Sequence, residues 1–207
     1  MERLSRRERE RLRHRREILD AALELFSERG YHNVSVRDIA QKAEFSIGTI
    51  YKFFEGKEDL YRSLMLDKAE ELHAQLIEAL RREGDEVEKL RRFITTKCRL
   101  FRENVKIVRL YFTETRGAGF SIKAGLDQEI RKKYDECLKL VASIFRSGME
   151  KKIFNDLSDP YRLAVALDSV CNGFIFLWLE KPEEHPLPED PNLILDIFFK
   201  PLLLQSS

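Results

Sequence analysis

Hydroxyl and ammonium side chains are concentrated in one short stretch near the start of the chain. Ser46, Thr49 and Tyr51 supply hydroxyls, and Lys52 and Lys57 supply ammonium groups. Such groups suit phosphate oxygens, which accept most of the hydrogen bonds that proteins make to DNA. The stretch therefore predicts a surface that binds a phosphate backbone.

Two short helices must position these side chains. Ser35 is followed by Asp38 at the third helical position, which is typical of an N-cap, and the pattern predicts a helix over 36–43. Ser46 caps a second predicted helix over 47–53. Two such helices joined by a short turn form a helix-turn-helix layout, whose second helix enters the DNA major groove. The spacing alone also fits an ordinary corner between two helices.

The rest of the chain favours an all-α fold. Nine glycines and six prolines are too few for a turn-rich β protein, and no strand pattern stands out. Apolar periodicity predicts a first helix over about 12–29, which Gly30 can end, and a long helix of about 26 residues from Lys57. We expect a three-helix helix-turn-helix domain joined by this long helix to a bundle of about five further helices. The predicted segments are a basic N-terminal arm (1–13), a DNA-binding domain (14–56) and a ligand-binding and dimerisation domain (57–207).

Charge is unevenly distributed. The chain holds 37 basic and 36 acidic residues, but residues 1–16 contain eight arginines and three glutamates. A basic arm on a near-neutral body indicates a polyanionic partner. The arm could follow an adjacent minor groove or add non-specific attraction to DNA. A solvated extension without a partner is the alternative.

Composition also bears on the compartment. Cys98, Cys137 and Cys171 are far apart among apolar neighbours, which predicts small core residues rather than disulfides. No signal peptide follows the first methionine, and the apolar run 163–179 predicts a buried helix rather than a membrane span. We expect a cytoplasmic, nucleoid-associated protein with no membrane partner.

Several runs in fixed order resemble the N-terminal DNA-binding domain of the TetR family of transcriptional regulators. They are SVRDIA at 35–40, SIGTIYKFF at 46–54 and GKEDL at 56–60. The first-helix pattern of Ile18, Ala22, Leu25 and Phe26 before Gly30 fits as well. The resemblance covers about residues 14–62.

The resemblance implies a role for each matching residue. Thr49, Tyr51 and Lys57 would hold phosphates, and Ile47, Gly48 and Lys52 would lie closest to the base edges. Further predicted DNA contacts are Ser35, Arg37 and Ser46. Packing in the helix core is the alternative for Tyr51, and a surface salt bridge is the alternative for Arg37.

One residue departs from the family pattern. Glu44 stands in the turn where the family usually has glycine. If this position requires a positive φ, a glutamate there costs about 1 kcal/mol. Its carboxylate would also repel a nearby phosphate.

The C-terminal helices are expected to form a dimer. A DNA reader with one helix-turn-helix contacts one half-site, and two half-sites require a two-fold pair. The last two helices are apolar on most sides, which predicts a four-helix bundle with their two-fold mates. The predicted interface residues are Phe174, Trp178, Leu195, Phe198, Phe199 and Leu202. Burial within one subunit is the alternative.

The middle helices are predicted to bind an effector. Aromatic and polar residues there could line an apolar cavity with a few polar anchors, although aromatic residues at helical spacing also fit a plain core. The arginines would suit an anionic or amphipathic ligand, and the aspartate would suit a cationic one. The candidates are Arg109, Phe112, Arg116, Phe120, Asp168, Asn172 and Phe176.

The sequence thus favours a ligand-responsive regulator, by family default a repressor, that binds a pseudo-palindromic operator as a homodimer. No cofactor, metal or catalytic residue is expected. An effector-independent protein of chromosome organisation is one alternative. A helical-bundle enzyme is another, since Glu70 and His73 have the spacing of one half of a di-iron motif.

Overall fold

A computed structural model describes residues 5–115, 128–187 and 192–199, and the elements it places there are helices. The all-α class is confirmed, with three N-terminal helices, a long fourth helix and a further set of helices. In chain order the helices are α1 (Arg6–Arg29), α2 (Val36–Lys42), α3 (Ile47–Ile50), α4 (Lys57–Arg81), α5 (Glu86–Glu103), α6 (Val105–Thr115), α7 (Gln128–Glu150), α8 (Pro160–Glu180) and α9 (Asn192–Phe199).

The chain divides into two compact units. The first contains α1, α2, α3, the part of α4 up to Lys68, and nearly all of α6. The second contains the remainder of α4 together with α5, α7, α8 and α9. The continuous helix α4 therefore contributes residues to both units.

The first unit has a small apolar core. Ile18 and Phe26 of α1, Ile39 of α2, Ile50 of α3 and Leu60 of α4 are each at most 1% exposed. Ala43 and Phe45, in the turn between α2 and α3, are half-buried. Each of α1, α2, α3 and α4 contributes at least one residue to this core, so α2 and α3, which are too short to be stable alone, are held by packing.

The predicted helix caps are confirmed. Ser35 accepts the amide of Asp38 at 3.2 Å, and the Asp38 carboxylate accepts the amide of Ser35 at 2.8 Å. Ser46 accepts the amide of Thr49 at 3.1 Å. Gly30 ends α1 at φ +77°, and its amide donates to the carbonyl of Phe26 at 2.9 Å. Local side-chain chemistry thus sets where these helices begin and end.

Two predicted helix boundaries were wrong. Helix α1 begins at Arg6 rather than near residue 12, because Ser5 and Glu8 form a capping box in front of it. Helix α3 ends at Ile50 rather than at residue 53. The amides of Lys52 and Phe53 bond to carbonyls three residues earlier, at 3.1 and 2.9 Å, so the last turn is tighter than an α-helix.

The second unit is built around α5, α7 and α8. Its core includes Phe93 and Ile94 from α5, Val141 and Phe145 from α7, and Leu167 from α8, each at most 1% exposed. Helix α9 adds Ile194. The predicted helix over 192–204 is described as far as Phe199, and its last residues lie outside the described part of the chain.

The three cysteines belong to this second core, as predicted. All are free and buried, and burial raises the pKa of Cys137 and of Cys171 to about 12. Thiols that stay protonated in an apolar core are poor nucleophiles and poor metal ligands. They are therefore packing residues.

Helix α8 is long and apolar enough to cross a membrane by length and composition alone, with a mean hydropathy of 1.5 over its most apolar 18 residues. The core helix of a water-soluble protein passes the same test. Asp168, near the middle of α8, is buried in an ion pair within the second unit. That pairing fits a helix packed against protein.

Candidate nucleic-acid interface

One side of α3 is open to solvent and the other is fixed in the core. Ile47 is 42% exposed and Tyr51 is 55% exposed, and Gly48 and Lys52 are exposed beside them. Ile50, on the opposite side, is 1% exposed. The structure thus brings together the residues predicted to lie nearest the bases and leaves Tyr51 outside the core.

The hydroxyls at the start of α3 are held in place by each other. Ser46 Oγ and Thr49 Oγ1 lie 2.8 Å apart, and Ser46 Oγ also accepts the Thr49 amide. Thr49 is half-buried and Ser46 is exposed. Both side chains therefore sit at the edge of the open face in a defined orientation.

The predicted contacts on α2 lie at its first turn. Ser35 is exposed, and its hydroxyl is occupied by the capping box with Asp38. The neighbouring Arg37 is exposed. Hydrogen bonds from the hydroxyl and amide of Ser35 lower the pKa of the Asp38 carboxyl, so this cap persists to a lower pH than an ordinary aspartate would allow.

Lys57 is anchored at the start of α4. Its Nζ donates to the carbonyl oxygen of Tyr31 at 3.0 Å and lies 4.4 Å from the centre of the Tyr31 ring. An ammonium group has three N–H donors, so others remain for a second acceptor. The contact orders a side chain that sequence reasoning assigned to a phosphate.

The turn before α3 has the strained geometry expected for a glycine position. Glu44 has φ +59°, in the left-handed region that glycine adopts freely. The next residue, Phe45, donates its amide to the carbonyl of Ala40 at 2.9 Å and packs its ring 5.0 Å from that of His14. The surrounding contacts hold Glu44 in this conformation.

Known proteins resemble both the sequence and the fold of this chain. The family model for bacterial regulatory proteins of the tetR family matches residues 18–64, which span α1 to α4 around the open face of α3. The chain carries the TetR-family DNA-binding domain. It is a transcriptional regulator, and α2 and α3 form the helix-turn-helix that the sequence predicts.

Relatives extend the similarity beyond this domain. The fatty acid metabolism regulator protein of Bacillus subtilis is 24% identical over 181 residues, covering 87% of this chain and 91% of that protein. The transcriptional repressor KstR of Mycolicibacterium smegmatis is 27% identical over 81% of this chain and 77% of that protein. The structure of the regulator FadR from Bacillus subtilis, solved with stearoyl-CoA, matches with a TM-score of 0.72 at 23% identity, covering 89% and 97% of the two chains.

The second unit contains a buried polar network, of which the sequence analysis identified Asp168 and Asn172. Asp168 Oδ2 accepts the hydroxyl of Tyr134 at 2.7 Å and the amide of Asn172 at 2.8 Å. Asp168 Oδ1 accepts an N–H of Lys97. The network links α5, α7 and α8, and it brings together the predicted effector residues Asp168 and Asn172.

Lys97 is the member of this network that the sequence analysis missed. Its side chain is 5% exposed, and its Nζ lies 5.9 and 5.7 Å from the ring centres of Phe93 and Phe101. The signal was present in the sequence. Lys97 falls seven residues after Leu90 and three after Ile94, on the apolar face of α5. A lysine on such a face needs a buried partner.

The other predicted effector residues are not brought to this network by the described structure. Arg109 is exposed on α6, and Phe176 is half-buried on α8. Phe112 lies in α6, but its side chain lies outside the described residues, as do Arg116 and Phe120. Their role in effector binding stays a prediction.

The predicted dimer residues are described in part. Phe174 is half-buried and packs against the core of the second unit, and Trp178 is half-buried. The side chains of Leu195, Phe198 and Phe199 and all of Leu202 lie outside the described residues. Large apolar residues exposed on α8 and α9 are Val165, Leu177, Leu193 and Ile197.

The pair that suggested a di-iron enzyme has other partners. The Glu70 carboxylate forms an ion pair with Lys133, and His73 Nε2 lies 4.0 Å from Glu136 Oε2. Burial lowers the pKa of His73, which favours its neutral form. In the described ranges, no group of three or more histidine, cysteine, aspartate or glutamate residues could hold a metal ion.

Gly48→Ala separates the fold from DNA binding. A Cβ at Gly48 would meet only Ser46 Oγ, at an ordinary 3.8 Å, and alanine is more favourable in a helix by about 0.5–1 kcal/mol. We expect thermal unfolding to show unchanged or higher stability, whereas a binding titration shows about tenfold weaker affinity for DNA, or about 1.4 kcal/mol. A variant that is stable and binds DNA like the wild type would show that no close backbone approach occurs here.

Glu44→Gly tests the strained turn. Glycine relieves the strain of the left-handed conformation, but it also makes the unfolded chain more flexible, which offsets part of the gain. We expect denaturant titrations to show a net increase of about 0.5–1 kcal/mol in the free energy of unfolding. Glu44→Ala is the control, because it removes the carboxylate but keeps Cβ and should give no such gain. Equal DNA affinity of both variants with the wild type would exclude repulsion between this carboxylate and phosphate.

Breaking the Lys97–Asp168 pair tests its role in the second core. Lys97→Met or Asp168→Asn alone leaves one charge buried without its partner, so each should lower the free energy of unfolding by about 3–5 kcal/mol. The double variant should recover most of that loss, as measured by a double-mutant cycle. Arg99→Met, which breaks an exposed pair with Glu103, should cost below about 1 kcal/mol. Additive losses in the double variant would contradict direct coupling.

Proposed function

We propose that this protein is a ligand-responsive transcriptional repressor that binds a pseudo-palindromic operator as a homodimer in the cytoplasm, at the nucleoid. The observation that carries the proposal is the open face of α3, where Ile47, Gly48, Tyr51 and Lys52 are exposed while Ile50 is fixed in the core. A short helix presented in this way in a TetR-family domain suits the major groove.

The residues divide by the contacts they would make. Ile47, Gly48 and Lys52 approach base edges, since they lie on the outer side of α3. Tyr51 binds phosphate through its hydroxyl, and Lys57 binds phosphate with the donors that its contact to Tyr31 leaves over. Arg37, Ser46 and Thr49 complete the contacts to the DNA backbone at the starts of α2 and α3, and Ser35 joins them by turning its hydroxyl from Asp38 to a phosphate. Residues 14–56 act as the DNA reader and 57–207 as the ligand-binding and dimerisation part.

Dimerisation would use α8 and α9. Val165 and Leu177 on α8 are 38% and 45% exposed, and Leu193 and Ile197 on α9 are 53% and 55% exposed. Gly173 lies on the exposed side of α8, and nothing lies within 4 Å of where its Cβ would be. Apolar residues beside an open glycine allow a second copy of the helix to pack closely. Trp178 and the predicted residues of α9 would extend this interface.

The buried network favours an effector that carries an oxygen acceptor. Both carboxylate oxygens of Asp168 are occupied, so a cationic ligand would have to displace Lys97. Lys97 uses one of its three N–H donors on Asp168, while its ammonium lies near two phenyl rings. The network therefore has spare N–H donors on Lys97 but no spare acceptor on Asp168. An amphipathic molecule with a carbonyl or carboxylate oxygen would supply the missing acceptor. The similar FadR structure holds stearoyl-CoA, which has such an oxygen.

The effector would act on DNA binding through α4. This helix runs without a break from Lys57 to Arg81 and contributes to both compact units. A ligand that binds one conformation of the second unit more tightly shifts the population toward it. A displacement of α4 then changes the placement of the reading helices, and operator affinity falls.

The first experiment is selection of a duplex from a random-sequence pool by the full chain, followed by footprinting and salt titration. We expect a protected pseudo-palindrome whose affinity falls steeply with salt, because counterions are released from phosphates. If Lys52 binds phosphate, Lys52→Gln should reduce the slope of log affinity against log salt concentration by about 1. If Lys52 reads a base, the variant should instead lose about 1–3 kcal/mol of discrimination at one base position. Stearoyl-CoA, used as the probe, should weaken binding, and octadecylamine should not.

Controls distinguish operator binding from the response to an effector. Arg82→Gln removes one positive charge from the second unit, where the side chain pairs with Glu78, and should leave affinity for the selected duplex unchanged. Failure to select any sequence, with only weak sequence-independent binding, would refute the operator-binding function. Selection of a palindrome together with no response to any acyl compound would instead favour an effector-independent DNA-binding protein.

A further inference from the structure

The start of α1 extends beyond the core of the first unit as a basic helix. The first buried residue of α1 is Ile18, and residues 5–13 are exposed. Seven arginines and two glutamates lie between residues 6 and 16, a net charge of 7 − 2 = +5. The exposed part, Arg6 to Arg13, is eight residues or about 12 Å long.

This segment, which we call the α1 extension (residues 6–13), is ordered by its own side chains. Ser5 and Glu8 cap it reciprocally, with distances of 2.8 and 3.2 Å between amide nitrogen and side-chain oxygen. Arg6 pairs with Glu10 at 3.5 Å, and Arg13 pairs with Glu17 at 3.6 Å. An α-helix is about 10–12 Å wide, whereas the minor groove of DNA is about 6 Å wide. The extension therefore does not fit into a minor groove as an extended arm would.

Four of the five arginines of the extension fall on two separate stripes, and Arg9 lies outside both. Arg6 and Arg13 lie on one stripe, where glutamates four residues later neutralise them. Arg7 and Arg11 lie on the other, which continues through His14 to the buried Ile18. No carboxylate of the described residues forms an ion pair with Arg7 or Arg11. The second stripe thus keeps its positive charge.

The second stripe lies against the segments on either side of α3. The Arg11 guanidinium lies 6.0 Å from the ring centre of Phe53, the residue after Lys52. His14 packs on Phe45 in the turn before α3. One helical turn further out, Arg7 lies on the same side, beyond the edge of the core. The charged stripe therefore lies next to the segments that flank α3, the helix whose exposed face is proposed to enter the major groove.

We propose that the α1 extension is a rigid phosphate-binding arm, in which Arg7 and Arg11 bind the DNA backbone flanking the groove that α3 reads. The inference rests on the proposed DNA-binding function and adds to it a surface outside the helix-turn-helix. Its partner is the phosphate chain of double-stranded DNA, since guanidinium groups bind phosphate oxygens independently of sequence. The arm lengthens the contacted duplex without adding base specificity.

The test compares two double variants of the full chain with equal charge change. Arg7→Gln/Arg11→Gln removes the unpaired stripe, and Arg6→Gln/Arg13→Gln removes the paired stripe of the same helix. With the duplex selected by the wild type, we expect the first to lower the slope of log affinity against log salt by about 1.8, or about 0.9 for each phosphate contact. The control should change that slope by less than half as much. The ratio of specific to random-sequence affinity should stay the same.

A second pair of variants tests rigidity. Glu10→Pro and Glu10→Gln remove the same carboxylate, but only proline breaks the helix and releases Arg7. We expect only the proline variant to show a smaller slope of log affinity against log salt. Only this variant should also lose protection at the ends of the footprint. If the proline variant keeps the wild-type slope and the full footprint, the arm is not rigid.

Equal slopes for the two arginine double variants would overturn the assignment of the stripe. If the wild type binds DNA but Arg7→Gln/Arg11→Gln keeps the wild-type slope, only this inference fails. If the wild type binds no duplex, the proposed function fails with it.

Discussion

The exposed face of α3, which is proposed to read DNA, depends on the burial of two side chains, Ile50 and Phe54. Helix α3 has four residues, and an isolated helix of fewer than about 12–15 residues is marginal in water. Its own hydrogen bonds therefore cannot hold it. Ile50 and Phe54 are 1% and 2% exposed in the core of the first unit, and Ser46 caps the start of the helix. Because Ile50 packs into the core from one side of α3 and Phe54 fixes the chain just beyond its end, the opposite side of α3 stays open to solvent.

The turn before α3 fixes the direction in which this face points. Glu44 takes a left-handed conformation that costs a non-glycine residue about 1–2 kcal/mol, and the chain tolerates it because its neighbours are fixed. The amide of Phe45 bonds back to Ala40, and the ring of Phe45 packs on His14. The strain is small beside the burial of several large apolar side chains, each worth about 1.5–3 kcal/mol. Local strain is therefore compatible with a defined orientation of α3.

Features with a local cause were predictable from the sequence. The caps at Ser35 and Ser46 and the positive φ at Gly30 follow from residues within a few positions of each other. The start of α1 was missed because its first turns are exposed on every side and have no apolar periodicity, although the Ser5–Glu8 capping box was readable. The partner of Asp168 was missed for a different reason. Lys97 is 71 residues away, and only tertiary packing of α5 against α8 brings the two charges together.

The buried Lys97–Asp168 pair bears on how a ligand could work in this protein. Binding couplings between two sites are typically about 1–3 kcal/mol, and a nearly complete switch between two states needs about 5.5 kcal/mol of differential affinity. Breaking a buried ion pair costs about 3–5 kcal/mol, which is of the same size. Because this pair joins α5 to α8, and Asp168 also binds Tyr134 of α7, a change at one polar contact reaches three helices. A ligand oxygen that takes a donor from Lys97 would thus act on a single contact of sufficient energy, whereas a ligand that only fills apolar space must act through many small packing contacts.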